Sequence, residues 1–426
     1  MKKYSFKNSI DTGILVLVAI LPFLPILSIQ IPINIAGYSL IGFSREIICI
    51  FLIIISLLNL IKKRKIKLDI YTIIIGIYIL YGIFHIFISR IGLGLGIDKF
   101  RLMYLYPITF ICVYMSGYKV DKEFLYKLRK VILAQFIIMS CFAILEIIFR
   151  EKLLILLYKD KYYKMHLNLL GKTNIRTVSL LENPINLALF MNISLVVLLC
   201  RKTKFKFLDV VFIFINIIIT LTTLSRTSYI IMGAIIIFYI ITNRQILKKI
   251  LKLLIPITII AVIITSYSAI STNKENSEGV ISSRLKQLSI ENILNNDRVD
   301  NWKTYLDNVF NGDPYLYLWG SGLGSSNPSN EYQSDIVKKV ENAYISILGE
   351  TGIVGLSIYI VIISIFIYRA AVIYNNNILL SKILIGCMLV LLIGSLANDL
   401  HQNNPFSMYL WLSIFISILY KPYKIT

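Results

Sequence analysis

Ile47-Ile48-Cys49-Ile50-Phe51-Leu52-Ile53-Ile54-Ile55-Ser56-Leu57-Leu58-Asn59-Leu60-Ile61 runs directly into Lys62-Lys63-Arg64-Lys65. A helix needs roughly 20 predominantly apolar residues to cross a bilayer core, and a lysine/arginine cluster beside it marks the cytoplasmic end. Extended back to residue 38, this stretch satisfies both conditions. Reading outward from it gives further spans near 10–30, 68–88, 102–117, 131–149, 185–200, 207–224, 228–242, 250–270, 343–368, 378–397 and 405–420, about twelve in all. The first has no small-residue cleavage site and reads as a signal anchor. With 57% hydrophobic and 16% charged residues in a chain of 426, the fold class is an all-α polytopic membrane protein.

The net charge of +21 is of a size met in nucleic-acid-binding proteins, but its distribution argues against that class. Basic residues gather in alternate connections: Lys62–Lys67, Lys119–Lys130, Arg201–Lys206 and Arg244–Lys249, with Lys2, Lys3 and Lys7 before the first span and Lys421 and Lys424 after the last. Alternating spans put all of these on one side, the cytoplasmic one. The long polar segment 271–341 falls on the other side, with seven Lys/Arg against ten Asp/Glu. The expected division is 1–270 with nine spans, 271–341 as the external loop, and 342–426 with three more. The five cysteines lie within or at the ends of spans and form no CxxC, so neither a disulfide framework nor a metal centre is indicated.

The shorter external connection, 150–184, sets Leu153, Leu156, Leu157, Tyr158, Tyr162 and Tyr163 among lysines, which predicts an amphipathic helix at the interface. It ends on Asn183-Pro184, a cap followed by a first-turn proline. In the longer segment, Asp297 begins a helix whose apolar face is Val299, Trp302, Leu306, Val309 and Phe310, with Gly312 as its stop. Trp302 is expected to face the bundle.

Candidate chemistry concentrates on the external side. Arg226 stands in the short turn Thr222-Thr223-Leu224-Ser225-Arg226-Thr227-Ser228, where a charge is costly and marks function by default. Its guanidinium fork suits phosphate oxygens, and the competing reading is snorkelling to headgroups. Arg298, with Trp302 one turn later, is the second candidate, and Arg176 and Arg284 follow. Where the segment returns to the membrane, Glu341, Asn342 and Tyr344 cluster. A carboxylate there could accept a proton from a substrate hydroxyl; the alternative is a first-turn glutamate favoured by the helix dipole. Glu350 reads as structural, with Gly349, Gly352 and Gly355 allowing close contact. Gly320-Ser321-Gly322-Leu323-Gly324 reads as a flexible turn. His401, in the external turn 398–403, is a secondary binding candidate.

Three pieces of sequence, in order, resemble the family of O-antigen ligases and O-antigen or capsular polysaccharide polymerases. They are Leu221-Thr222-Thr223-Leu224-Ser225-Arg226-Thr227; Arg298-x-x-x-Trp302 with Trp319-Gly320-Ser321-Gly322-Leu323-Gly324; and Glu341-Asn342-Ala343-Tyr344 through Glu350-Thr351-Gly352-Ile353-Val354-Gly355. The large external loop between spans nine and ten is similar too. The resemblance implies a GT-C-type glycosyltransferase of the bacterial inner or plasma membrane, with both termini cytoplasmic. It would be inverting, independent of metal and cofactor, and supplied with a polyprenyl-diphosphate-linked oligosaccharide. It implies that Arg226 and Arg298 hold the diphosphate, with Arg176 and Arg284 assisting, and that a chain-length regulator and a flippase are its partners. Where the ligase branch carries a histidine before the asparagine, this chain has Glu341, which favours the polymerase branch. The remaining alternatives are a ligase acting on another acceptor and a transporter of the same lipid-linked sugar.

Overall fold

Helix α3 (Ser44–Lys63) shows how these residues build the bundle. Its buried side includes Glu46, Ser56 and Asn59, whereas Ile47, Ile50, Phe51, Ile54, Leu57, Leu58 and Ile61 are exposed. A water-soluble helix does the reverse; apolar residues turned outward and polar ones inward suit a lipid solvent. Helix α4 (Ile70–Phe87) repeats the pattern, with Thr72, Tyr78 and His85 inside and Ile73, Ile77, Leu80, Phe84 and Phe87 outside.

The computed structural model describes residues 6–35, 38–64, 66–90, 92–149, 152–159, 176–200, 207–242, 297–310, 312–326 and 340–420. Helix α1 (Phe6–Ile20) continues through a 3-10 turn into α2 (Leu24–Gln30). A two-residue β-ladder pairs Asn34–Ile35 with Tyr38–Ser39 before α3. After α4 come α5 (Leu93–Met115), α6 (Lys122–Phe149) and a short α7 at 152–159. Then follow α8 (Pro184–Leu199), α9 (Phe207–Thr222) and α10 (Arg226–Thr242). The polar segment supplies α11 (Asp297–Phe310) and α12 (Pro314–Trp319). The chain closes with α13 (Ala343–Tyr374), α14 (Ile378–Ser395) and α15 (Phe406–Leu419). Among the described residues, six helical runs are long and apolar enough to cross a membrane: α1–α2, α3, α4, α6, α13 and α14; α8, α9, α10 and α15 are shorter and apolar. The expected span at 250–270 lies outside the described residues.

Helix α8 is buried almost all round and packs against α6, α9, α10 and α14; α15 is similarly enclosed and packs on α5, α13 and α14. They form the core, and α3, α4 and α6 turn apolar rows outward. Basic residues collect at one end of the bundle. Lys63 donates to the Ser116 carbonyl at 3.2 Å, Lys7 meets Asp121 at 2.5 Å, Arg129 reaches the Val197 carbonyl at 3.3 Å and Lys382 the Thr242 carbonyl at 2.8 Å. At the opposite end meet the close of α4 and α9, the starts of α5, α10 and α13, and the turn 396–405.

Helix α13 is broken at Gly352, whose φ of 67° and ψ of −174° are not helical. This backbone region is essentially restricted to glycine. The carbonyls of Gly349 and Glu350 accept the N–H groups of Ser321 and Gly322 at 2.9 and 3.0 Å, which satisfies groups that the break releases. The residues 319–326 thus thread between α13 and α4–α5. His85 Nε2 lies 2.6 Å from the Trp319 carbonyl, Leu323 N–H donates to the His85 carbonyl at 3.2 Å and Ser89 Oγ to the Leu323 carbonyl at 2.8 Å. The expected flexible turn is therefore a buried, hydrogen-bonded plug. Its glycines permit close approach: a Cβ on Gly320 would lie 2.5 Å from the Glu350 carbonyl, and one on Gly352 2.2 Å from that of Leu318.

Helix α11 lies over α13, as its apolar face predicts, but the buried side is rotated. Tyr305, Val309 and Phe310 are buried and Trp302 only half-buried. The apolar spacing included Trp302 and passed over Tyr305, whose phenol gives it a polar tip that Ser325 Oγ meets at 3.3 Å. Asn183 caps α8 as expected, accepting the Ile185 N–H at 2.8 Å ahead of Pro184.

Candidate functional site

Three residues, Thr223, Leu224 and Ser225, join α9 to α10, and Leu224 adopts a left-handed conformation with φ of 52°. This turn holds Arg226 at the first position of α10, half-buried. Residues 176–178 run alongside it: Thr177 N–H donates to the Thr222 carbonyl at 3.3 Å and Arg176 Nε to the Thr223 carbonyl at 2.8 Å. A carboxylate from α6 fixes that segment, because the Glu146 oxygens accept the Val178 N–H at 3.0 Å and the Ser179 N–H at 2.7 Å. Arg176 and Arg226 are thereby brought to one turn. Further along this segment, burial pushes the Glu182 carboxyl above its ordinary range, and the Tyr158 hydroxyl accepts the Glu182 N–H at 3.0 Å.

Asn342 caps α13, accepting the N–H groups of Tyr344 and Ile345 at 3.0 and 3.2 Å, and donates to the Leu396 carbonyl at 3.1 Å. Glu341 therefore precedes the helix instead of occupying its first turn, which corrects the first-turn alternative. Glu341 is half-buried between Val340, whose N–H donates to the Ser326 carbonyl at 3.3 Å, and Asn342. Tyr344 donates its hydroxyl to the Leu392 carbonyl at 3.2 Å. The turn 398–403 then meets α8, where Asn398 and Asn403 approach Asn186 Oδ1 at 3.4 and 3.3 Å. That contact links the Glu341 side of the site to the arginine side, one helical turn from Asn183.

Beneath the turn lies a buried charge cluster that sequence reading missed. Lys99 Nζ of α5 sits 3.0 Å from Glu350 Oε1 and 4.0 Å from Asp399 Oδ2. Glu350 Oε1 also accepts Ser326 Oγ at 2.5 Å and the Gly324 and Ser326 N–H groups at 3.3 Å each. Asp399 Oδ1 lies 2.8 Å from His401 Nδ1, and Gln402 donates to its other oxygen. His401 is 2% exposed, so it belongs to this buried set and not to an open mouth. Glu350, read as structural, is its centre. The available signal was an ionisable residue within an apolar run, which is costly unless paired or used. Glu350 carries it, whereas Lys99 beside Asp98 and Arg101, and Asp399 in a polar turn, do not.

Arg284 lies outside the described residues, and of Arg298 only the backbone, at the second position of α11, is described. Trp302 packs half-buried against the cluster of Tyr305, Val309, Phe310 and Val340.

An all-α membrane bundle with its cationic turn, capping asparagine and re-entrant glycine plug at one end defines a polytopic membrane protein with a polar site at the helix ends. Residues 211–360, from α9 through the first part of α13, match the family model described as O-antigen ligase. This part of the chain is similar to the O-antigen ligase family, and the match supports an assignment to the O-antigen ligase and polymerase family. No curated protein matches the chain. The matched region includes Arg226, Arg298, Glu341 and Glu350.

Proposed function

We propose that the chain is a polysaccharide polymerase, moving a growing glycan from a polyprenyl diphosphate onto the terminal sugar of an incoming lipid-linked repeat. The observation that carries this reading is the pairing of Arg176 with the Thr222–Arg226 turn, at the bundle end where Glu341 and Asn342 stand. In the proposed reaction the acceptor hydroxyl oxygen attacks the anomeric carbon from the face opposite the diphosphate. The bond from that carbon to the phosphate oxygen breaks, and the diphosphate leaves with the electron pair. Negative charge therefore grows on the leaving group, and preorganised guanidinium groups in a water-poor site stabilise it without reorganising. Arg226 and Arg176 supply that stabilisation, with Arg298 and Arg284 joining from the polar segment. Glu341 orients the acceptor hydroxyl and takes its proton as the new bond forms. Trp302, Asn342 and Tyr344 shape the sugar site, and His401 supports it from below.

The active end faces the external or periplasmic side, because the basic connections at the other end favour the cytoplasm. The break in α13 does not favour a transporter, since Ser321 and Gly322 occupy the released carbonyls instead of leaving them to line a path.

Purified protein in lipid nanodiscs, given a lipid-linked repeat unit, is expected to form a ladder of product lengths. One transfer per acceptor would identify a ligase instead. Arg226→Ala should lower the rate by about 100-fold or more while membrane insertion is unchanged. A ladder of undiminished rate from that variant would overturn the assignment.

A further inference from the structure

A second pair of arginines stands at the same end of the bundle, on the other side of the turn 398–405. A cavity of about 300 Å³ is lined by Leu21, Leu24 and Pro25 on one wall and by Arg45, Arg101 and Asn404 on the other. Glu46 positions both cations: its Oε1 lies 2.8 Å from Arg45 Nε and 3.9 Å from Arg101 Nε. Both guanidinium groups thus approach the same carboxylate oxygen, Arg45 within hydrogen-bond distance and Arg101 more loosely. Arg101 also meets Asp98 at 3.5 Å, but Asp98 is 54% exposed, so water screens that pair. Among the described residues the terminal nitrogens of Arg45 have no acceptor. Arg45 itself is 13% exposed, and a cation so enclosed within a bundle is a functional candidate by default.

The turn 398–405 connects this cavity to the site described above. Asn404 lines the cavity and accepts the Tyr106 hydroxyl, while its neighbour Asn403 approaches Asn186 of α8. A polymerase joins two substrates that both carry a lipid diphosphate, so it needs two anion sites at one end of the bundle. A ligase acting on an acceptor without such a lipid needs one. The cavity pairs a fork of donors for phosphate oxygens with an apolar wall for the start of a lipid tail. We infer that the Arg45–Arg101 cavity binds the lipid phosphate of the acceptor, an isoprenoid-linked sugar phosphate, while the Arg176–Arg226 turn holds the donor. This inference rests on the polymerase reading for its role in turnover, but not for the binding itself.

The test uses the full chain in nanodiscs with a benzophenone-bearing polyprenyl diphosphate as probe, and adducts are mapped by peptide mass spectrometry. Adducts are expected within residues 21–46 in addition to those around Arg226. Arg45→Ala with Arg101→Ala should weaken labelling at 21–46 by about tenfold or more and leave labelling near Arg226 intact. Ser28→Phe, which narrows the cavity and keeps both cations, should do the same, so misfolding of the arginine variant cannot decide the result. Excess inorganic pyrophosphate or phosphatidylglycerol should compete poorly, because each lacks part of what the cavity recognises. No adducts at 21–46, adducts insensitive to both variants, or displacement by either competitor as effective as by unlabelled polyprenyl diphosphate would overturn the inference. In turnover the same variants should raise the KM for the acceptor by about tenfold and leave the donor KM unchanged. If the wild-type chain builds no ladder, the polymerase reading fails, and the adduct map still decides the cavity.

Discussion

Lys99 and Glu350 meet at 3.0 Å with 4% and 0% of their side chains exposed. Removing one partner of such a pair strands the other charge away from water, which typically costs about 3–5 kcal/mol. Lys99→Met is therefore expected to lower the melting temperature of the detergent-solubilised protein sharply. The double variant Lys99→Met/Glu350→Gln should recover much of the loss, since the two changes share one interaction and are not additive. Equal losses from the single and double variants would show that the pair is not coupled. At this scale the sequence was only partly readable. Arg226 stood out because its turn is short and flanked by long apolar runs, and the structure adds Arg176 to that turn. Lys99 did not stand out, because with Asp98 and Arg101 nearby it looks like the polar edge of a span. Its partners Glu350 and Asp399 come from elements far along the chain, and only the tertiary fold brings them together.

Helix α5 shows the same effect on an element. The apolar window placed its start at 102, whereas the helix begins at Leu93 and carries Asp98, Lys99 and Arg101 inside it. Lys99 and Arg101 are tolerated because Glu350 and Glu46 meet them, and Asp98 is exposed beside Arg101, which hydropathy along a single helix does not register. The apolar run marks the start of α13, but its break at Gly352 leaves no hydropathy signal. Two of the three glycines read as allowing close contact admit the polar segment, with Tyr305 against Gly349 and the Leu318–Trp319 peptide against Gly352, while Gly355 faces Tyr81 of α4. Gly352→Ala should destabilise the protein by about 1–3 kcal/mol from backbone strain alone, with the clash at Leu318 added. Thermal unfolding in detergent checks this; an unchanged midpoint would mean that the plug is not seated against α13.

Across the whole molecule the basic end is tied together by ion pairs whose strength depends on pH. Burial works against ionisation of Asp121, but the Lys7 ammonium and the Phe124 N–H outweigh it and hold the carboxyl below its ordinary value of 3.8. A folded-state acid with a lowered pKa stabilises the fold above the unfolded value and loses that contribution as pH falls through the folded one. Melting measured from about pH 6 down to about pH 3 should therefore fall less steeply for Asp121→Asn than for the wild type, and parallel curves would argue against the clamp.

The seam between α4–α5 and α13 is closed by residues 319–326, which are made long after the first and shortly before the second. A ribosome must therefore translate some two hundred residues beyond Met115 before the early helices receive the peptide groups that seal them. Until then Lys99 waits in the translocating chain without Glu350, and assembly of the amino-terminal half stays provisional. Biogenesis of this protein is thus governed by its carboxy-terminal third, and chains interrupted before Gly352 should be cleared by quality control instead of accumulating as stable fragments.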